Sequence, residues 1–196
     1  MEGFTVHRGT TAVVPDDNVD TDRIIPARFL SRVNRSGYGE LLFNDVRGES
    51  FALDQPLAAG ASVMVVGTNF GCGSSREHAV WAIQQAGYKA VVAKKTAIGP
   101  GYSDIFRQNA ANCGLLLVEL NEADHAQIEG KGSGAEIEID LPDQKVRQGG
   151  KEFGFDISPV SKESILKGLD LIGSTLILED AITKYEQERL AYVPKP

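Results

Sequence analysis

A chain of 196 residues, 42% hydrophobic and 24% charged, is long enough to bury a core and has the make-up of an ordinary soluble globular protein, expected as a single domain over 1–196. Its formal net charge of −7 argues against broad binding to nucleic acid or to anionic membranes, so the basic groups that meet an anionic substrate must act locally. No apolar run approaches the ~20 residues of a membrane span, and Met1-Glu2-Gly3-Phe4 has no signal-peptide character, which makes the expected location cytoplasmic. Cys72 and Cys113 form no CxxC pair, and with only His7, His78 and His125 beside them they cannot supply a spaced zinc site or a four-cysteine cluster. No metal is assigned to this chain; a metal in its chemistry must be held mostly by another polypeptide.

Taken in order, Phe4-Thr5-Val6-His7 and Ala12-Val13-Val14-Pro15 read as short strands around a turn at Gly9. An acidic segment, Asp16 to Arg23, precedes Ile24-Ile25-Pro26-Ala27-Arg28-Phe29-Leu30, which suggests a short helix with Pro26 in its first turn. Asn34 to Gly39 has the composition of a mobile loop, and Glu40 to Gly60 shows no clear period. Ala61 to Gly67 is a buried strand by its apolar run, and Ala79 to Gly87 a helix closed by glycine. Tyr88 to Ala93 reads as a strand, Ser103 to Asn112 as a helix ended by Gly114, Leu115 to Leu120 as a strand and Glu122 to Ile128 as a short helix. This β-α-β-α-β run predicts a parallel core with right-handed crossovers. Glu136 to Leu141 then alternates charged and apolar residues, with a turn at Pro142-Asp143 and further strands over Lys145 to Gln148 and Glu152 to Ile157, the pattern of an antiparallel meander with one wet face. Beyond Ser158-Pro159 the chain is helical to Leu190, broken near Gly168 or Gly173, with Ile165, Leu166, Leu169 and Ile172 at helical spacing.

The chemistry concentrates between the strand ending at Gly67 and the helix after it, in Thr68-Asn69-Phe70-Gly71-Cys72-Gly73-Ser74-Ser75-Arg76-Glu77-His78. A strand-to-helix turn offers free backbone N–H groups and the positive end of a helix dipole to an anion. Ser74-x-x-Glu77 also fits a capping box, and Gly71 and Gly73 fit a plain turn requirement. Three familiar loops are excluded. Arg76 stands where a dinucleotide fingerprint needs its third glycine, no Gly-Lys-Ser/Thr closes a phosphate loop, and neither serine has glycines two residues to each side, as a hydrolase elbow requires. What remains is an anion-binding turn at Gly71 and Gly73 carrying hydroxyls. Arg76 can hold a carboxylate bidentately, and Ser74, at the cap position, sits where backbone donors would stabilise an alkoxide.

Gly73-Ser74-Ser75-Arg76-Glu77-His78-Ala79 resembles the swivelling-domain signature of the aconitase superfamily. Asn18-Val19-Asp20-Thr21-Asp22-Arg23-Ile24-Ile25-Pro26 resembles the N-terminal signature of its bacterial stand-alone members, the 3-isopropylmalate dehydratase small subunits. The likeness runs from about Phe4 to the C-terminal helix and includes Ser103-Asp104-Ile105-Phe106 with Asn109. It implies an α/β fold, a single swivelling β/β/α domain with a parallel β-α-β core, antiparallel strands and C-terminal helices. It also implies that no cofactor is bound by this chain: a [4Fe–4S] cluster on a large subunit binds the substrate hydroxyl, and this chain closes the cleft over a small hydroxy-dicarboxylate. By position, Ser74 matches the base that removes the proton alpha to a carboxylate, and Ser75 and Arg76 match ligands of the substrate carboxylate. Asp22 would orient Arg76, unless Asp20-Thr21-Asp22 only cap the next helix. The loop from Phe29 to Tyr38 matches the region that selects the substrate's variable arm. Leu30 and Val33 suit an isopropyl group there, whereas Arg28, Arg32 or Arg35 would suit a carboxylate, which leaves homoaconitate, citraconate and dimethylmalate types as alternatives. A non-catalytic anion-binding module is the rival from another class. His78 and Trp81 read as packing residues, Cys72 as a small turn residue near the cleft and Cys113 as buried. Lys94 to Tyr102 is longer than the compact link expected there and reads as an insertion at the cleft edge.

Overall fold

The computed structural model describes residues 3–31, 34–74 and 76–189. It contains one mixed seven-stranded sheet in the order β4-β3-β2-β1-β5-β6-β7. β1 (Val6–Val14) joins the sheet's two halves. Its first half pairs antiparallel with β5 (Glu136–Asp140), from Val6 opposite Asp140 to Thr10 opposite Glu136. Its second half pairs parallel with β2 (Val63–Val66), Thr11 lying opposite Val63. The expected turn at Gly9 is therefore replaced by continuous strand. Gly9 is needed for closeness: a Cβ there would collide with the Ser62 hydroxyl, which His7 Nε2 meets at 2.8 Å.

The parallel half, β1, β2, β3 (Ala90–Lys95) and β4 (Leu116–Asn121), follows the β-α-β-α-β reading, with α2 (Glu77–Gln85) and α3 (Asp104–Cys113) as crossovers. Strand residues alternate between two cores, as period-two geometry requires. Met64, Val66, Val91 and Ala93 pack with Ala79, Val80, Ile83 and Phe106. Val63, Val65, Ala90, Val92, Leu116 and Val118 pack on the other side, with Ile128 of α4 (Glu122–Glu129) and Ile165 of α5 (Pro159–Lys167). The antiparallel strands, β5 with β6 (Lys145–Gln148) and β7 (Lys151–Gly154), add Ile137, Ile139, Val146 and Phe153 to this second core and keep their charges outside. The last of these strands is shorter than expected.

Local chemistry sets most boundaries. Ser103, Asn121 and Ser158 cap α3, α4 and α5 by accepting from the N–H groups of Phe106, Asp124 and Ser161. Gly114 and Gly168 close α3 and α5 in the left-handed conformation. Of the two expected breaks, the chain uses Gly168. Gly173 lies inside α6 (Leu171–Leu176), a second break falls before α7 (Glu179–Glu188), and Leu190 lies outside the described residues. Ile172, the last of the apolar residues at helical spacing, is 70% exposed.

The segment after β1 departs most from expectation. Its helix comes earlier, as the one-turn α1 (Thr21–Ile24), capped by Asp20, whose carboxylate accepts from Arg23 N–H. Ile25, the residue before Pro26, is held extended at φ −144°, ψ 110°, so the helix cannot run on into the proline, and Ala27–Phe29 form a separate 3₁₀ turn. The loop expected to be mobile is anchored at its described end: Tyr38 is fully buried, and its N–H donates to Gln85 Oε1 at 2.8 Å. Three 3₁₀ turns, Gly39–Leu41, Ala52–Asp54 and Pro56–Ala58, account for the stretch without a period.

Candidate active site

Three loops leave the C-terminal ends of β1, β2 and β3 together, where open parallel sheets place ligands. They form a short three-ribbon extension with the Thr68–Gly73 turn in the middle. On one side, Asn18 N–H donates to Thr68 O at 2.9 Å, Gly71 N–H to Val19 O at 2.8 Å and Thr21 N–H to Cys72 O at 2.9 Å. On the other, Asn69 N–H donates to Pro100 O at 3.1 Å and Phe70 N–H to Gly101 O at 2.8 Å, while the Ser103 hydroxyl donates to Gly71 O at 2.7 Å. The segment expected as an insertion is thus a strut. It turns back between Thr96 and Gly99, leaving Ile98 almost wholly exposed, and returns as the third ribbon.

Side chains reinforce the first junction. Asp17 accepts from Thr68 N–H at 2.8 Å and meets Lys94 Nζ at 3.0 Å; the Thr68 bond, with Lys94 behind it, holds its carboxyl below the usual range. Asn18 and Asn69 both adopt left-handed backbone, φ 56° and 54°, and Asn69 Nδ2 donates to Asn18 Oδ1 at 2.9 Å. Asparagine is among the few residues that tolerate this conformation, so asparagine in a polar loop was the one available signal for the pair. Asn69 and Asn18 belong to the two stretches that the sequence marks out, but nothing in it gives them, Asp17 or the Pro100–Tyr102 ribbon an individual role in building the site. Gly71, at φ 74°, lies so close under the Phe106 ring that a Cβ could not fit, and Gly73 has φ 88°.

Helix α2 begins at Glu77 with Arg76 in the cap position and no side chain bonded there. The capping box is absent. Ser74 lies two residues too early to cap, and the Glu77 carboxylate turns away to accept from Cys113 Sγ at 3.2 Å. The Ser74 hydroxyl has no hydrogen-bond partner among the described residues, and the residue is exposed. Its carbonyl accepts from the Thr21 hydroxyl at 2.8 Å. Arg76 is largely buried, with 16% of its side chain exposed, and its Nη1 donates to Asp22 Oδ1. That bond is the main reason the Asp22 carboxyl lies below its ordinary range, and it leaves the other guanidinium nitrogens without a partner among the described residues. The first N–H groups of α2 have no intrahelical acceptor. An exposed hydroxyl, a guanidinium with free donors and a helix N-terminus therefore share one edge.

Ser75 and Val33 lie outside the described residues, as does Arg32. Leu30 ends the 3₁₀ turn, half-buried, and the core beneath takes Phe29. Arg28 is engaged by both carboxylate oxygens of Asp45, whose carboxyl is lowered to about 2 by that pair. The Arg35 guanidinium lies over the Trp81 ring at 4.8 Å. His78 packs 4.6 Å from Trp81 and 5.4 Å from Tyr38, and burial lowers its pKa. Burial and the nearby Asp20 push the half-buried Cys72 thiol up, a poor setting for a thiolate. Cys113 is half-buried where full burial was expected, since it closes the α2–α3 contact at the surface; burial and Glu77 raise it to about 12. Among the described residues no group of three or more His, Cys, Asp or Glu could hold a metal ion, and no helix is long and apolar enough to cross a membrane.

The family model for the aconitase C-terminal domain matches residues 1–123, a span from β1 through β4 that contains all three ribbons. The chain is 44% identical to 3-isopropylmalate dehydratase small subunit 2 of Bordetella pertussis over 99% of its own length and 96% of that protein's. The chain belongs to this family. A second 3-isopropylmalate dehydratase small subunit, from Shouchella clausii, is 41% identical over 97% of this chain and 98% of its own. A solved 3-isopropylmalate dehydratase structure from Methanocaldococcus jannaschii matches with a TM-score of 0.68 and 30% identity, covering 91% of this chain and 98% of that one. The small-subunit family thus accounts for the fold as well as for both sequence signatures.

Proposed function

We propose that this chain is the small subunit of a two-subunit hydro-lyase that interconverts 2-isopropylmalate and 3-isopropylmalate through 2-isopropylmaleate, in leucine biosynthesis. The observation that carries the reading is the exposed Ser74 hydroxyl, unpartnered among the described residues, two positions before an Arg76 guanidinium that Asp22 engages through one nitrogen. Arg76 binds a substrate carboxylate through its free donors, with Ser75 and the N–H groups at the start of α2 beside it. Ser74 Oγ takes the proton from the carbon alpha to that carboxylate, and loss of the hydroxyl from the neighbouring carbon leaves the double bond; the reverse addition at the other carbon completes the isomerisation. The ionised serine that such a base requires would be favoured by the unpaired N–H groups at the start of α2. The Lewis acid that activates the substrate hydroxyl is a [4Fe–4S] cluster held by the large subunit, consistent with a donor inventory here of two separated cysteines and three separated histidines. The pairing of Arg28 with Asp45, and of Arg35 with Trp81, supports an apolar arm over a third carboxylate, the arm for which Leu30 and Val33 stand in the sequence.

The test is reconstitution. The chain alone is expected to show no dehydratase turnover and to gain it with a cluster-bearing large subunit. Ser74→Ala should lower kcat by roughly 10² to 10⁴, the usual worth of a general base, with assembly unchanged. Turnover by the isolated chain would sink the two-subunit reading, and near-normal turnover in Ser74→Ala would remove the base.

A further inference from the structure

We infer that Thr21 is a positioning residue for Ser74, acting through its hydroxyl on the serine's own carbonyl. The inference rests on Ser74 as the base and adds what fixes it in place. Ser74 follows Gly73, whose left-handed φ of 88° gives the turn its direction but no rigidity. The serine side chain is exposed, makes no hydrogen bond among the described residues, and belongs to no helix, since α2 begins only at Glu77. What holds it must therefore come from the backbone on either side.

Thr21 supplies that hold. Its N–H donates to Cys72 O at 2.9 Å and its Oγ1 to Ser74 O at 2.8 Å, so one residue grips the carbonyls on both sides of Gly73. Thr21 is itself 1% exposed and sits at the first position of α1, behind the Asp20 cap. A β-branched side chain there has few rotamers, so the hydroxyl is pre-aimed. Its neighbour Asp22 holds Arg76. The Thr21-Asp22 pair thus fixes the proposed base and the proposed carboxylate ligand from a single turn of helix. Without the Thr21 hydroxyl the peptide after Ser74 can rotate about Gly73 and carry Oγ with it. A misplacement of about 1 Å at a reacting group costs on the order of 10²-fold in rate.

A threonine that merely satisfied its own buried hydroxyl would predict a different pattern, and the kinetics of the assembled two-subunit enzyme separate the two. Thr21→Val, close in shape and lacking the donor, should lower kcat by roughly tenfold to a hundredfold with KM held within about twofold. Thr21→Ser, which restores the donor, should return most of the rate. In a Ser74→Ala background Thr21→Val should cost nothing further, because there is no hydroxyl left to aim. Should Thr21→Val not assemble, Thr21→Ala adds no atom to the buried site and gives the same readout. Normal kcat in these variants, failure of Thr21→Ser to rescue, or an equal loss in the Ser74→Ala background each overturns the inference. Ser74→Ala on its own keeps the two failures apart: an active Ser74→Ala enzyme removes the base, whereas an inactive one beside a fully active Thr21→Val removes only the positioning role.

Discussion

At the scale of single residues, the arrangement depends on what a guanidinium can do that an ammonium cannot. Arg76 donates to Asp22 and keeps other donors in a fixed plane, the geometry that the proposed carboxylate contact needs. Arg76→Lys keeps the charge and loses the fork, so KM should rise by roughly tenfold or more, as expected for a lost charge-assisted hydrogen bond, while kcat changes less. Steady-state kinetics of the reconstituted enzyme check this, and an unchanged KM would mean the arginine does not touch the substrate. Asp22→Asn should act in the same direction and less strongly, because 53% of the Asp22 side chain is exposed and water screens the pair. Residue type and spacing pick out Gly71, Gly73, Ser74 and Arg76 in the sequence, and the structure sets them on the turn between β2 and α2; the carboxylate chemistry read from them is the proposal that the variants test. The Asp22–Arg76 pair, 54 positions apart, entered only through the family resemblance, and the bonds from Asp17 to Thr68 and from Asn18 to Asn69 did not enter at all. Partners so distant are set by how three loops stack, which no local pattern encodes.

At the scale of elements, apolar runs and caps read well, whereas contacts between neighbours did not. β2 and the first four residues of β3 are uninterrupted apolar runs, all buried, and the helices with a serine or asparagine in front began where those residues placed them. The capping box failed because Ser74 is drawn off to Thr21 by its carbonyl and α2 starts two residues later than the motif implies. The C-terminal helices show the limit of periodicity. Neither α6 nor α7 has a buried residue, and Leu171, Ile172, Leu176, Ile177 and Leu178 are 57% to 70% exposed. Helical spacing of apolar residues marks a face built for burial, yet none of the described residues covers this one. Local stability should follow: in the isolated chain, amides of α6 and α7 should exchange with solvent far faster than those of β2 and β3, whose opening requires nearly global unfolding. Hydrogen exchange read by mass spectrometry tests this, and comparable protection in the two regions would mean that α7 is packed after all.

At the scale of the whole molecule, one buried group links acidity to the stability of the fold beneath the site. His125 on α4 is 1% exposed, and neither ring nitrogen has a hydrogen-bond partner among the described residues; the Glu129 carboxylate lies 3.4 Å from Nδ1. Glu129 and the carbonyls of Val66 and Val92 favour the imidazolium, Lys94 opposes it, and Asp17 lies within electrostatic reach. Burial outweighs the attractions and lowers the pKa from 6.5, because an imidazolium cannot be solvated there. The sign follows directly. Above 6.5 both the folded and the unfolded histidine are neutral and contribute nothing to the pH dependence. Below it the unfolded chain takes up a proton that the folded chain refuses, so stability falls with pH until the folded value is reached. The Asp45 carboxylate acts at lower pH, because its contribution is lost only as pH falls from the ordinary carboxylate range toward about 2. Urea midpoints should therefore fall between about pH 7.5 and 5.5 at constant m-value, and His125→Leu should flatten that slope. His7 and His78 are also lowered by burial, so the flattened slope should be reduced and not abolished. A slope unchanged in His125→Leu would assign the acid sensitivity to those two half-buried histidines instead. A slope lost in His125→Leu would place the pH response at the C-terminal ends of β2 and β3, directly under the ribbons that carry Ser74 and Arg76.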